Sequence, residues 1–365
     1  MSSFHTKTAP SKAVAPDERL LRVMASPFLE PDNPYTLLLY QNMQGAEVVQ
    51  FNGWILREDH FDIAHIHWPE HIFWQNGGFF SIFRTALHFI RNIHLGRKRG
   101  TKLVWTVHNL RPHEFGWREA LIWPWFFPLF LRHVDGIISL SGVGEDILLG
   151  RYPRLRSRPR FVIPHGHYRA VYQNIVSNAE ARRNLGIPST AKVVGFIGAV
   201  RPYKNLPELI RCFRALGMPE AALLIAGRPL PDCMKSVIEK LADNDARISC
   251  ELRFIEDDDL QIYFAAADLI VLPFSTILNS GSAMLALSFN RPVLTIAKGG
   301  LVELARAVGA DWMRTYEGPL TSEVLREAIA WAGKEGRAPT APLDAFDWPV
   351  LAAQTLRAYR TVLGS

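Results

Sequence analysis

The chain is poor in the features that would mark it as secreted, membrane-spanning or metal-templated. Its three cysteines, Cys212, Cys233 and Cys250, are too few and too scattered for a disulfide framework, and no CxxC pair suggests zinc. A reducing cytoplasm fits this usage. No run approaches the ~20 consecutive apolar residues that span a bilayer, and the first 18 residues, rich in Ser, Ala and Pro, lack the apolar segment of a signal peptide. The sequence therefore reads as neither secreted nor integral to a membrane. Charged residues are only 21% of the chain against 48% hydrophobic, which excludes wholesale disorder. No recognition helix or RNA-binding sheet motif is visible, so nucleic acid is not expected as a partner.

At 365 residues the chain exceeds what one core usually supports, and two domains are expected. The formal charge of +6 is uneven: residues 1–165 carry 19 Lys+Arg against 14 Asp+Glu, while residues 166–365 carry 22 against 21. Residues 1–18 read as a flexible tail. Beyond it, short apolar runs alternate with helical segments, the pattern of a parallel sheet. Strands are expected at 20–26, 46–51, 63–67, 102–108, 136–140 and 161–164, then at 193–197, 222–226, 247–254, 269–273 and 292–296. Asn33 and Pro34 suit a helix start, and 206–216, 258–267, 281–289 and 348–363 read as helices. This divides the chain into 19–165, 166–345 and a C-terminal helix, 346–365, that packs back across the junction.

In doubly wound sheets ligands bind beyond the carboxyl ends of strands, so residues just after strands carry the most information. After 193–197 come Gly198, Arg201 and Lys204, where a glycine allows close backbone approach and two cations precede a helix. Asn279, Ser280, Gly281 and Ser282 start another helix with small and hydroxyl residues, able to cap it or to hold phosphate oxygens. Together they suit a diphosphate. His165-Gly166-His167-Tyr168 closes a strand at the expected hinge, where a structural role is the commoner one and no third ligand appears for a metal. In the first half, alternation would bury either His65 or His67, and Glu70, Glu114 and His108 follow strands as candidate general bases for a hydroxyl nucleophile. The charge-free aromatic stretch 120–131, with Arg97-Lys98-Arg99 and the arginines at 151, 154, 156, 158 and 160, suits either an anionic membrane surface or buried helix packing.

These residues also carry a family likeness. Asn33-Pro34-Tyr35, His65 to Glu70, His108 to Glu114, His165 to Arg169, Arg201 to Lys204, Asn279 to Ser282 and Arg291 to Leu294 together resemble glycosyltransferase family 94, the xanthan-type β-mannosyltransferases of exopolysaccharide assembly. The resemblance implies an α/β chain of GT-B architecture, two Rossmann-like doubly wound domains facing a central cleft. It implies GDP-mannose as donor, a polyprenyl-diphosphate-linked oligosaccharide as acceptor, inversion at the anomeric carbon, and a cytoplasmic enzyme resting on the inner membrane. Arg201, Lys204 and the helix start at 280–282 would hold the diphosphate in place of a metal, with Gly198, His165, Gly166, Asn279 and Ile255 completing the donor site and no cofactor required. Retaining relatives carry two glutamates seven residues apart, whereas Ile277 to Leu285 holds no carboxylate. A transferase of UDP-glucuronate or UDP-glucose would keep the same diphosphate groups. A dinucleotide oxidoreductase would need the complete GxGxxG turn that Gly195-Phe196-Ile197-Gly198 lacks, and a non-enzymatic carbohydrate-binding or membrane-associated protein would need no base.

Overall fold

The computed structural model describes residues 19–30, 33–73, 78–110 and 116–364. Its first half runs β1 (Leu21–Ser26), α1 (Tyr35–Gln41), β2 (Ala46–Gln50), α2 (Gly53–Glu58), β3 (Ile63–Ile66), α3 (Phe79–Lys98), β4 (Lys102–Val107), α4 (Trp117–His133), β5 (Val134–Ser139), α5 (Gly142–Arg151) and β6 (Arg160–Val162). The second half runs α6 (Asn178–Asn184), β7 (Lys192–Ile197), α7 (Leu206–Arg214), β8 (Ala221–Ala226), α8 (Cys233–Ala242), β9 (Ile248–Glu251), α9 (Asp257–Ala266) and β10 (Leu269–Leu272). It continues with α10 (Gly281–Ser288), β11 (Val293–Ile296), α11 (Leu301–Val308), β12 (Met313–Tyr316), α12 (Ser322–Ala332) and α13 (Trp348–Leu363). Among the described residues the strands form two parallel six-stranded sheets, ordered 2-1-3-4-5-6 and 12-11-10-7-8-9. The expected pair of doubly wound sheets is therefore what the chain forms.

In each sheet the strand order reverses once, between β1 and β3 in the first and between β7 and β10 in the second. Loops leave such a switch point in opposite directions and open a crevice at the carboxyl edge. Register is pinned by a repeated device at the opposite edge, an aspartate at or just before a strand that accepts the backbone N–H of the neighbouring strand. Asp62 accepts from Arg22 at 2.8 Å, Asp135 from Leu103 at 2.9 Å and Asp268 from Val193 at 2.7 Å. Each carboxylate also meets an arginine, respectively Arg19, Arg97 and Arg182. A slip of one residue would strand these charges, so the pairs specify alignment as well as attraction.

One core packs α3 and α4 against one face of the first sheet, with Trp105, Phe126, Phe127 and Phe130 at its centre. The other runs without a break from the opposite face of that sheet through Tyr35, Tyr168 and Trp348 into the second sheet. Helix α13, last in sequence, lies on the first sheet against α1, β4 and β5. Glycines make room for it, since a Cβ on Gly45 would meet Leu356 at 3.0 Å and one on Gly136 would meet Val362 Cβ at 3.5 Å.

Several features differ from the sequence reading or decide between its alternatives. Strand β12 was not expected, because Met313–Tyr316 is an edge strand whose two middle residues are exposed and whose apolar signal is correspondingly weak. Strand β9 ends at Glu251 rather than at residue 254. His65 and His67 are both buried, where the sequence reading hid one or the other, because residues two apart along a strand share a face and that face of β3 and its turn is covered. The aromatics of α4 are mostly core: Trp123, Phe126, Phe127 and Phe130 are buried. Arg97 is also committed, holding Asp135 through two contacts of 3.0 and 2.6 Å.

Candidate active site

The cationic side of the site is built where β7 and β10 lie together. Strand β7 ends at Gly198, whose φ of +117° favours glycine, and the chain then enters a 3₁₀ turn, Pro202–Lys204. A Cβ on Gly227, after β8, would overlap the Gly198 carbonyl, so the two loops form one continuous wall. Lys204 is only 7% exposed, and its Nζ donates to Ser282 Oγ at 3.2 Å. That bond ties the loop after β7 to the first turn of the helix after β10. Burial, reinforced by the neighbouring charge of Arg201, pulls the Lys204 ammonium down to about 8. A bound anion would reverse both effects.

The rest of the donor-side residues sort by what they touch. Ser280 Oγ accepts from Ala283 N at 3.1 Å and so caps α10, which is the plain role that the sequence left open beside phosphate binding. A Cβ on Gly281 would stand 3.2 Å from the Tyr168 hydroxyl and 3.5 Å from His165 Nε2, so the missing side chain keeps that corner open. His165 donates Nδ1–H to its neighbour's carbonyl, Gly166 O, at 2.8 Å, which leaves the lone pair of Nε2 facing Tyr168. Burial pushes the imidazole down to about 4, against the opposing effect of the Gly166 bond. Gly166 itself faces Trp348, whose Cδ2 would be 2.7 Å from a Cβ there, so packing of the indole accounts for that glycine. Ile255 is buried after β9. Asn279 turns toward the first sheet, where its Oδ1 accepts from Ser141 Oγ at 3.1 Å.

Across the cleft stands the carboxylate side. Glu70 sits in the 3₁₀ turn Pro69–Phe73 that follows β3 at the first sheet's switch point, and is 7% exposed. Burial raises its carboxyl to about 7, opposed in part by its own backbone N–H. A carboxyl poised there can hold or release a proton at neutral pH, which suits a general base. His108 follows the adjacent strand β4 and stacks on Trp68 at 4.2 Å between ring centres, with His71 on the same indole at 5.2 Å. Burial, then the neighbouring His165, holds the His108 imidazole well below its usual range, so it is neutral. Glu114 lies outside the described residues. Among the described residues no three His, Cys, Asp or Glu side chains converge as a metal site.

The two sides are held face to face. Glu303, at the start of α11, accepts from the backbone N–H groups of Gly142 and Val143 at 2.9 and 2.5 Å. This places a second-sheet carboxylate on the N-terminus of first-sheet helix α5, where the helix dipole favours it. Tyr35, from α1, touches both halves, with ring centres 4.8 Å from His108, 4.8 Å from His165 and 5.2 Å from Trp348. Sequence reasoning named neither Glu303 nor a role for Tyr35. The glutamate's only local mark is its place after Gly299-Gly300 at a helix start, and the tyrosine's is its place beside Asn33-Pro34.

Two doubly wound sheets whose switch points confront each other, one lined by cations and the other by a buried carboxyl, define the class: an α/β chain of the GT-B architecture. A solved Anabaena HepE structure in complex with UDP-glucose matches 93% of this chain and 97% of its own at a TM-score of 0.61 and 16% identity. A Rickettsia africae glycosyltransferase matches 94% and 99% at a TM-score of 0.64 and 11% identity. The model of the family described as "Glycosyl transferases group 1" matches residues 177–318. A Xanthomonas campestris pv. campestris protein named GDP-mannose:glycolipid 4-beta-D-mannosyltransferase is 31% identical over 342 residues, covering 91% of this chain and 89% of its own. The chain belongs to the glycosyl transferases group 1 family and is a glycosyltransferase.

Proposed function

We propose that the protein is an inverting glycosyltransferase of family 94 type that moves mannose from GDP-mannose to a polyprenyl-diphosphate-linked oligosaccharide in exopolysaccharide assembly. The observation that carries the reading is the buried Lys204 held against Ser282 at the switch point of one sheet, together with the buried Glu70 that follows β3 at the switch point of the other. In a single displacement the acceptor hydroxyl attacks the anomeric carbon from the side opposite the leaving diphosphate. The acceptor oxygen–carbon bond forms as the carbon–phosphate oxygen bond breaks. Glu70 takes the hydroxyl proton, while Arg201, Lys204 and the N–H groups of α10 stabilise charge gathering on the departing GDP. His108, at the end of the adjacent strand, is the reserve base, His165 and Gly281 border the sugar, and Gly198, Gly166, Asn279, Ser280 and Ile255 complete the donor side. The donor identity rests on the named Xanthomonas relative.

The acceptor's lipid puts the enzyme at the cytoplasmic face of the inner membrane. No helix among the described residues is long and apolar enough to cross a membrane. A face for resting on one exists: Phe80, Phe83 and Leu87 of α3 and Trp117 and Leu121 of α4 are exposed, with Arg84 and Arg91 exposed on the same face of α3. Aromatics with interspersed cations suit an anionic lipid surface. The test incubates the full chain with labelled GDP-mannose and a bacterial membrane extract, and follows label into lipid-linked oligosaccharide by mass spectrometry. Mannose added from GDP-mannose supports the reading. Transfer only from a UDP sugar overturns the donor, and no transfer from any nucleotide sugar overturns the reaction.

A further inference from the structure

Behind the carboxylate side, five buried side chains from α1, β3, β4 and the turns after them form one hydrogen-bonded chain, of which the reaction above uses only the last. Thr106 Oγ1 lies 2.7 Å from His65 Nε2. His65 Nδ1 lies 2.9 Å from the Tyr40 hydroxyl and 2.6 Å from that of Tyr359, which α13 brings in from the far end of the sequence. Tyr40 lies 2.5 Å from His67 Nε2, and His67 Nδ1 lies 3.1 Å from His108 Nε2. All five residues are at most 9% exposed.

A neutral imidazole has one N–H and one lone pair, and a hydroxyl has one hydrogen to give. A chain of such groups has two self-consistent directions, and its buried end selects between them. If His65 carried its proton on Nε2, Thr106 would accept it, and the threonine's own hydrogen would be buried without the partner that His65 provides. Buried donors are rarely left so. Thr106 therefore donates to Nε2, and His65 carries its proton on Nδ1 and gives it to a tyrosine oxygen. Tyr40 donates to His67 Nε2, and His67 donates from Nδ1 to His108 Nε2. We infer that this chain fixes His108 as its Nδ1–H tautomer, so that the ring nitrogen outside the chain offers a hydrogen-bond donor, not a base, to a substrate oxygen beside Glu70. Thr106, Tyr40, His65 and His67 are then positioning residues, and Tyr359 makes the seating of α13 part of the same assembly.

The inference rests on the proposed acceptor site, yet its readout needs no substrate. Long-range proton–nitrogen spectra of the full chain with labelled histidine distinguish protonated from bare ring nitrogens. The wild type should show His108 protonated on Nδ1. In Tyr40→Phe, His67 loses the donor that keeps its proton on Nδ1, so the direction of the chain is no longer imposed and His108 should become a mixture of the two tautomers. Mannosyl transfer by that variant should fall about tenfold in kcat with the GDP dissociation constant unchanged. A wild-type His108 protonated on Nε2, or the same tautomer in both proteins, overturns the inference. Thr106→Val provides the second variant should Tyr40→Phe not fold; it should leave His108 a mixture of tautomers, and an unchanged spectrum overturns the direction assigned to the chain. Correct tautomers in a wild type that transfers no sugar would count against the proposed function alone.

Discussion

Replacing Glu70 with glutamine should inactivate the enzyme and stabilise it, and both effects follow from the burial of one carboxyl. Burial raises the native carboxyl from 4.5 to about 7, so between those values the native protein holds a proton that the unfolded chain has released. Stability therefore falls as pH rises through that window and levels off above it. At ~1.4 kcal/mol per unit the raised carboxyl costs the native state, relative to acid, about 3 kcal/mol at pH 8 and about 1 kcal/mol at pH 5. Glutamine carries no such cost, so Glu70→Gln should gain about 2 kcal/mol on the wild type between pH 5 and pH 8, read from urea unfolding at each pH. Removal of a general base should lower kcat by about 10²–10⁴-fold. Wild-type kcat/KM should rise with pH toward a plateau above about 7, while GDP binding by the variant stays intact. A variant that gains nothing at pH 8 would refute the claim that the carboxylate is buried at a cost. A variant with near-normal turnover would refute its role as base.

Three further outcomes are expected. Lys204→Met should weaken GDP binding about 10–100-fold by calorimetry, the value of one charge-assisted contact to phosphate; because the lysine sits at about 8, wild-type affinity should also fall as pH rises above that value, and a pH-independent affinity would remove Lys204 from the site. Arg182→Leu should cost about 3–5 kcal/mol in unfolding free energy, since the buried guanidinium holds Asp268 and the carbonyls of Ala266, Ser189 and Ala191; GDP affinity measured well below the unfolding midpoint should not change. Glu303→Ala should release the clasp on Gly142 and Val143 and enlarge the radius of gyration of the nucleotide-free protein in X-ray scattering, and an unchanged radius would show that other contacts hold the cleft shut.

Much of the architecture was legible because parallel sheets covered on both faces leave short, nearly continuous apolar runs, as in Leu269–Leu272 and Val293–Ile296. The loops after β3, β4, β7 and β10 were legible for a related reason: glycine, hydroxyl and charged residues interrupt those runs where a crevice must open. What stayed hidden depends on side chains that meet from distant positions. Tyr359 reaches His65 across 294 positions, and Glu303 reaches Gly142 across 161; neither residue differs locally from an ordinary helix residue. Asn279 was expected at the donor from its position after β10, and the contact of its oxygen with Ser141 of the other sheet is a further link that the sequence does not show. The aromatic stretch of α4 left two readings open, because a helix packed beneath a sheet and one lying on lipid are equally apolar and only the three-dimensional face separates them.

The arrangement also constrains how the cleft opens. The chain crosses between the sheets twice, at residues 163–168 and 346–348, and the crossings are bonded to each other. Trp348 Nε1 donates to His167 O at 2.6 Å, His167 Nε2 pairs with Asp347, and His167 N donates to Phe346 O at 3.1 Å. Gly166 allows the indole to lie directly on the backbone. Two segments joined in this way resist independent bending, so a relative rotation of the sheets would turn about the pair and would have to break the Glu303 clasp and the Ser141–Asn279 contact. Those contacts join a carboxylate to backbone N–H groups and a hydroxyl to an amide, all groups that water can solvate when they part, whereas the crossings lie against the shared apolar core. The cleft can therefore part at Glu303 while Tyr35, His165 and Trp348 stay together. Such a separation would give the substrates of a glycosyltransferase a way into the space between the sheets.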